Sequence, residues 1–256
     1  MQNGIVTFVP VTGLADFQEG TDLAAEIAQA FERLAILPDG HDVLVVAQKI
    51  VSKAEGRHVD LASVQPSSEA QRLARITHKD PRLVELILRE SEDVVRAAAN
   101  VLIVRHRLGF VMANAGIDRS NVGPISDGEV VLLLPRDPDG SAINLRCRLT
   151  DLFGVPLGVI VSDSFGRPWR NGVVNIALGA AGLPALIDRR GERDRYDRRL
   201  EATEVAFADA IAAGAALVMG EAAEGVPVVL VRGLQWAAAV CDGRALLRAK
   251  QEDLFA

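Results

Sequence analysis

Apolar runs alternate with amphipathic segments along the whole chain, and this pattern predicts interleaved strands and helices. Short aliphatic runs such as DVLVVA and EVVLLL have the length and β-branched content of buried strands. Segments with apolar residues every three or four positions predict amphipathic helices, and Thr21 is the expected N-cap of the first. The predicted strands cover residues 5–11, 42–47, 101–105, 110–113, 129–134, 158–161, 173–181, 183–187 and 226–231. The predicted helices cover residues 21–34, 67–76, 81–92 and 200–218, with another that opens in the DPDGS turn and ends near residue 152.

This mixture favours an α+β (mixed α/β) fold. Strand-like segments on either side of Gly109 and Gly182 suggest antiparallel pairs, which argues against a purely parallel, doubly wound sheet. We expect two intertwined lobes that together form one domain over residues 1–256.

Composition and charge narrow the classes of function. Apolar residues make up 49% of the chain and the net charge is −6, which argues against general affinity for nucleic acid or anionic membranes. The N-terminus lacks the pattern of a signal peptide, and no apolar stretch of membrane-spanning length is free of charge. We therefore expect a cytoplasmic protein with no nucleic-acid or membrane partner.

Four polar clusters follow apolar runs, where loops at strand ends commonly present reactive groups. The first, QKIVSKAEG, carries Lys49 and Lys53, which are suited to binding phosphate as point charges. A solvated turn is an equally good interpretation of this segment alone. The second, NAGIDRSN, offers Asp118 as a ligand for a hard cation and Asn121 as a hydrogen-bonding group for a base or ribose. Its alternative is an Asx-rich turn.

The third cluster, SDSFGRPWRNG, places Asp163 and Ser164 directly after a strand-like run, with Arg167 and Arg170 close enough to contact anions. A helix-capping aspartate is the alternative there. The fourth, MGEAAEG, supplies Glu221 between glycines that allow close backbone approach to a nucleotide. A helix C-cap followed by a turn explains it equally simply.

The chain contains no Walker A pattern, no Gly-rich dinucleotide fingerprint and no G-x-S-x-G. Carboxylates accompanied by scattered lysines and arginines remain, and this set suits phosphoryl transfer to a bound acceptor.

Taken together and in this order, the clusters resemble the coenzyme F420:L-glutamate ligases (F420-0:γ-glutamyl ligases). The most specific segments are VSKAEGR, NAGIDRSNV, LLLPRDPDGSA, SDSFGRPWRNG and MGEAAEGVPVVLVRGL. The similarity extends from FVPVTGL near the N-terminus to VVLVRGL, which is nearly the whole chain.

The resemblance implies a GTP-dependent ligase that adds one or more γ-linked L-glutamates to the deazaflavin coenzyme F420-0 through an acyl phosphate. It further implies bound Mg²⁺ or Mn²⁺, K⁺ in some members, and an intertwined homodimer. In some relatives this module is fused to a nitroreductase-like domain, which we do not expect in this chain.

Site roles are implied by the same resemblance, motif by motif. Catalytic roles are expected for Asp118, Asp163 and Lys53, and metal ligation for Asp118, Asp163, Ser164 and Glu221. The positions expected to contact the nucleotide are Pro10, Val11, Thr12, Gly13, Gln48, Lys49, Lys53, Asn121, Met219, Gly220, Glu221, Ala222, Ala223, Glu224, Gly225 and Val226.

The chain departs from the family pattern where Ala222 and Ala223 replace glycines of the nucleotide-binding loop. Two alternatives to the ligase interpretation remain open. One is a related metal-dependent amide ligase that acts on another pterin- or flavin-like acceptor. The other is a non-catalytic protein that binds a deazaflavin or a nucleotide.

Overall fold

The computed structural model describes residues 4–122 and 129–253, and it shows a mixed α/β protein built on a central five-stranded sheet. The strands of this sheet are β1 (Thr7–Pro10), β2 (Val43–Ala47), β8 (Gly158–Arg167), β9 (Arg170–Ala181) and β12 (Val228–Arg232), in the order β1-β12-β2-β8-β9. Strands β2 and β8 run parallel, and the other neighbours run antiparallel.

Both faces of the central sheet are buried, which explains why its strands read as continuous apolar runs rather than as alternating patterns. Leu44 and Val46 point to one face, where helices α1 (Leu23–Arg33) and α5 (Pro138–Phe153) pack. Val43 and Val45 point to the other face, which is covered by α6 (Phe207–Met219).

A second hydrophobic core is formed by the middle of the chain. It joins α3 (Ser68–Thr77) and α4 (Pro81–Arg89) to the three-stranded sheet of β4 (Ser91–Ala98), β5 (Val101–His106) and β6 (Val111–Ala113). Strand β3 (His58–Asp60) pairs with β7 (Val130–Leu132) beside them. Helix α2 (Gln48–Ala54) leaves the end of β2 directly and connects the central sheet to this second core.

Most predicted elements are present, and the hairpin around Gly109 is confirmed by the antiparallel pairing of β5 with β6. Ser67 caps α3 as the predicted start of that helix requires. The cap of α1 was wrong by one residue: Asp22 Oδ1 accepts from the backbone N–H of Ala25 at 3.2 Å, whereas Thr21 Oγ1 accepts from Gln18. Asp22 is the better N-cap because its negative charge is also stabilised by the partial positive charge at the N-terminus of the helix.

Three element predictions are corrected. The helix predicted to continue to residue 92 ends at Arg89, and the charged stretch that follows is strand β4, most of whose residues are not buried. The helix predicted from residue 200 begins at Phe207, because residues Glu204–Ala206 form β11, which pairs with β10 (Leu186–Asp188). The antiparallel pair predicted across Gly182 is also wrong, since β9 pairs with β8 and β10 pairs with β11.

The polar segment 162–172, predicted as a loop, is the distal half of the β8–β9 hairpin. Trp169, at a φ of 59°, lies in its turn. The Gly- and Ala-rich run that follows packs mainly within the protein itself. Gly179, for example, is so close to α5 that an added Cβ would lie 2.3 Å from the backbone of Pro138. Within residues 4–122 and 129–253, the helices are all too short or too polar to cross a bilayer.

Candidate functional site

A cleft of about 1280 Å³ lies where the carboxyl end of β2 meets the middle of β8. Ala47, the last residue of β2, is the register partner of Ser162, so Gln48, which begins α2, lies beside Asp163 of β8. The volume exceeds the ~300–1,000 Å³ usual for a pocket that holds one small ligand, so the cleft has room for more than one reactant.

All four polar clusters contribute to the wall of this cleft. Among the residues predicted from the sequence, the lining ones are Gln48, Lys49, Lys53, Asp118, Asn121, Asp163, Ser164, Met219, Gly220, Glu221, Ala222, Ala223, Glu224, Gly225 and Val226. Four predicted positions, Pro10, Val11, Thr12 and Gly13, are not in the lining, which begins at Leu14. Arg167 and Arg170 lie outside it as well.

Asp118 is held by a chain of hydrogen bonds from the first turn of α2. Gln48 Nε2 donates to Asp118 Oδ2 at 2.8 Å, and Ser52 Oγ donates to Gln48 Oε1 at 2.8 Å. Lys49 Nζ lies 3.2 Å from the same carboxylate oxygen and donates to the carbonyl oxygen of Ser120. Gln48 and Ser52 are buried and hydrogen-bonded to each other, and they therefore fix the position of the Asp118 carboxylate.

Asp163 lies in a strongly anionic part of the cleft. Burial and the nearby charge of Asp118 raise the pKa of Asp163 to about 8, and Glu221 adds to the effect. The backbone N–H of Ser164 and the ammonium of Lys49 oppose it only in part. A buried carboxylate beside other carboxylates is unfavourable in its charged form unless a cation or a proton neutralises it.

Lys53 brings a second ammonium group to the same cleft. Its partial burial lowers its pKa, the carboxylate of Asp16 opposes that change, and Lys49 lowers the pKa further. Two lysines on one side of a cleft with an anionic floor provide counter-charges for a ligand that itself carries several negative charges.

The segment after α6 closes one side of the cleft. Asn121 Nδ2 donates to the carbonyl oxygen of Ala222 at 3.1 Å, and the Ala222 N–H donates to Glu224 Oε2 at 2.8 Å. Gly220, with a φ of 72°, adopts a conformation that favours glycine, and a Cβ there would collide with the Glu224 carboxylate.

The oxygen donors of the cleft suit a hard divalent cation, because carboxylate and hydroxyl oxygens are its preferred ligands. The mutual charge effect among Asp118, Asp163 and Glu221 is what such a cation would relieve. In the part of the chain that the structure describes, no three His, Cys, Asp or Glu side chains are already arranged around a common metal position. Asp118 is instead paired with Gln48 and Lys49.

Sequence reasoning missed several lining residues, among them Asp16, Ser162 and Asn175. Asn175 had a detectable signal, because it is an isolated amide within the otherwise apolar run VVNIAL. Ser162 precedes Asp163 in the third polar cluster, but its burial in the middle of β8 depends on strand pairing.

Comparison with known proteins points to a single family. A family model described as F420-0:Gamma-glutamyl ligase matches residues 13–233. The chain is 48% identical over 240 residues to the coenzyme F420:L-glutamate ligase of Methanopyrus kandleri, with 92% of each chain covered. It is 47% identical to the Methanothermobacter thermautotrophicus protein of that name, with 98% of each chain covered. With the Archaeoglobus fulgidus protein the identity is 43%, over 98% of this chain and 96% of the other.

Proposed function

The chain belongs to the F420-0:γ-glutamyl ligase family, and from that premise we propose that it joins L-glutamate to coenzyme F420-0 at the expense of GTP. The observation that carries the proposal is the convergence of the four polar clusters of the sequence on one cleft. That cleft combines lysines, for anionic reactants, with grouped carboxylates.

The proposed reaction must activate a carboxylate, which is a poor electrophile. An oxygen of the coenzyme carboxylate attacks the γ-phosphorus of GTP, the bond to the β-phosphate oxygen breaks, and GDP leaves. The amine of glutamate then attacks the carbonyl carbon of the acyl phosphate, and inorganic phosphate leaves as the amide forms. Both steps bring anions together, so positioning and charge neutralisation are the main tasks of the protein.

Charged side chains of the cleft are suited to these tasks. Lys49 and Lys53 lower the repulsion between the phosphates and the coenzyme carboxylate. Asp118, Asp163, Ser164 and Glu221 would hold Mg²⁺ or Mn²⁺, which would supply positive charge at the transferred phosphoryl group. Gln48 and Ser52 keep the Asp118 carboxylate in position for that role.

The guanine nucleotide is proposed to lie against Asn121 and the loop of residues 219–226. Asn121 already contacts this loop through Ala222, and the glycines at positions 220 and 225 keep its backbone accessible. The alanines at positions 222 and 223 are compatible with this, since it is a backbone carbonyl and N–H of Ala222 that form the loop contacts.

The test is incubation of the protein with F420-0, L-glutamate, GTP and Mn²⁺, followed by mass spectrometry of the coenzyme. We expect a mass increase of one or more glutamyl residues that requires GTP, and a faster reaction in potassium than in sodium salts. Parallel reactions with ATP, and with pterin or flavin carboxylates as acceptors, test the nucleotide and the acceptor separately. Binding of the coenzyme without GTP cleavage would contradict the ligase and favour a non-catalytic binding protein.

We also propose that the working unit is a homodimer. The tip of the β8–β9 hairpin supports this, because Trp169 and Val173 are 81% and 53% exposed there. The Gly- and Ala-rich run 173–186, whose small residues suggest close packing across an interface, is mostly buried within the protomer beyond Val173 and gives no further support. Analytical ultracentrifugation at micromolar concentration tests the dimer, and a single monomeric species would overturn it.

A further inference from the structure

Two buried polar atoms of residues that line the cleft lack a hydrogen-bond partner in the described part of the chain. Ser162 is 1% exposed and Asn175 is 7% exposed, and both line the cleft. Within the described ranges, Ser162 Oγ and Asn175 Oδ1 have no hydrogen-bond partner. Leaving a buried polar group without a partner is unfavourable, so two such groups in the lining of one cleft indicate a place where a ligand can bind.

The β8–β9 pairing brings these atoms together. Asn175 is the register partner of Ser164, and Ser162 is the register partner of Ala177, two residues further along β9. Cross-strand partners and residues two apart share a face of a sheet, so Ser162, Ser164 and Asn175 are neighbours on one face. Asp163 lies between Ser162 and Ser164 on β8, with its side chain on the other face of the sheet. Because these residues and Asn175 all line the same cleft, the subsite and the proposed reacting centre share one cavity.

The two polar atoms of the Asn175 amide differ, because within the described residues only the nitrogen has a partner. Its Nδ2 faces the thioether of Met219, with Nδ2 and Sδ 3.9 Å apart. An amide oxygen only accepts hydrogen bonds, and a serine hydroxyl can accept as well as donate. The ligand that satisfies both atoms is therefore a hydrogen-bond donor. The ammonium of Lys49 is not that donor, because it is engaged by Asp118 and the Ser120 carbonyl.

We propose that Ser162 Oγ and Asn175 Oδ1 bind the amino group of the incoming amino acid and direct it at the acyl phosphate. This inference rests on the proposed function, in which the amine is the one nitrogen nucleophile of the reaction. The ammonium form first loses a proton to water. The N–C bond then forms as the C–O bond to phosphate breaks, and the displaced proton leaves with inorganic phosphate as HPO₄²⁻.

The two half-reactions can be measured apart, because hydroxylamine intercepts an acyl phosphate to give a hydroxamate without any glutamate. For Asn175→Ala we expect the KM for glutamate to rise at least tenfold. Hydroxamate formation from F420-0 and GTP, at saturating hydroxylamine, should stay within twofold of the wild type. Ser162→Ala should behave alike, and Asn175→Asp, which keeps an acceptor oxygen, should retain most of the glutamate affinity.

Two controls separate this role from a structural or cation-binding one. Asn171→Ala changes an exposed asparagine of the same strand that is not in the cleft lining, and it should leave both half-reactions unchanged. The affinity for Mn²⁺ in the presence of GDP, measured by electron paramagnetic resonance, should be the same in wild type and Asn175→Ala.

Three results would overturn the subsite: an unchanged KM for glutamate in Asn175→Ala, an equal loss in both half-reactions, or a weakened Mn²⁺ affinity. If the wild type makes neither hydroxamate nor ligated coenzyme, the proposed function fails, and the subsite fails with it. Hydroxamate formation together with an unaltered KM for glutamate removes the subsite alone.

Discussion

The side-chain amide of Asn121 donates to the carbonyl oxygen of Ala222 at 3.1 Å, and this bond joins segments 101 residues apart in sequence. Asn121 follows the segment of Ile117, which packs in the second core, whereas Ala222 follows α6, which packs on the central sheet. The contact therefore ties the two cores together across the cleft.

Replacing Asn121 with Gly should loosen this side of the cleft. Asn121 has a φ of 55°, which glycine also adopts, so the change removes the donor without straining the backbone. Loss of one hydrogen bond corresponds to about a fivefold rise in the KM for GTP. Hydrogen exchange of the loop 219–226 should become faster. Asn100→Gly is the matched control, since Asn100 has a φ of 62° in an exposed turn outside the cleft lining.

Replacing Asp163 with Asn should reduce turnover by about 10²-fold or more, because a charge that organises the reacting phosphates is lost. The fold should survive, since the isosteric amide replaces a carboxylate whose charged form is disfavoured by burial and by the charges of Asp118 and Glu221. Activity assays paired with thermal unfolding of the metal-free protein check both points. Asp151→Asn, an exposed change on α5, should alter neither. Retained activity in Asp163→Asn would remove this residue from the proposed mechanism.

The partly buried Glu90 should make the stability of the fold depend on pH in the acid range. Burial alone would raise its pKa, but the imidazole of His106 and the guanidinium groups of Arg57 and Arg107 lower the pKa of Glu90 to about 2. Arg57 Nη2 donates to Glu90 Oε2 at 2.8 Å. A carboxylate with a lowered pKa stabilises the folded state when the pH is above 4.5, which is its pKa in the unfolded chain. That stabilisation is lost as the pH falls towards 2, the pKa in the folded state.

Glu90→Gln should therefore lower the free energy of unfolding at pH 7 by on the order of 2–3 kcal/mol. The difference from the wild type should shrink as pH falls from about 5 towards 2. Urea unfolding across this range is the measurement, with Glu92→Gln as the exposed control. A difference that is independent of pH would show that the ionised carboxylate is not the source.

Gly179 should tolerate no side chain. A Cβ at this position would lie 2.3 Å from the carbonyl carbon and oxygen of Pro138, at the start of α5. Since backbone must move to relieve the overlap, Gly179→Ala should cost about 1–3 kcal/mol of stability. Gly166→Ala, on the neighbouring strand with nothing within 4 Å of its Cβ, is the control and should be near neutral. Equal melting temperatures for the two variants would contradict this packing.

Local signals in the sequence were sufficient where an element is decided by its own residues. Buried aliphatic runs such as Val43–Ala47 and the Ser67 cap of α3 needed no knowledge of their partners. Strand β4 could not be predicted this way, because its charged residues are accommodated only by pairing with β5. The local pattern likewise predicts helix for Glu204–Ala206, because the pairing of this segment with β10 cannot be read from its own residues.

In the candidate site, too, some residues could be identified from the sequence and others only from the structure. The motif-bearing residues that line the cleft were identified from the sequence, largely through the family resemblance. Asn175 and Ser162 were not, because what distinguishes them is burial without a partner among the described residues, which is a property of the packed structure.

The parallel pairing of β2 with β8 also determines how far the polar groups of α2 lie from Asp163. Ala47 opposite Ser162 puts α2, with its lysines, at a fixed offset from Asp163. A slip of one residue along β8 would turn the strand's buried side chains to the opposite face and displace Asp163 by about 3.3 Å. The register is set by apolar partners, Val45 with Ile160 and Val46 with Val161. These residues therefore determine how the polar groups at the end of β2 are positioned relative to Asp163. Substitutions at these register positions can abolish activity without unfolding the protein, because they misalign the two sides of the cleft.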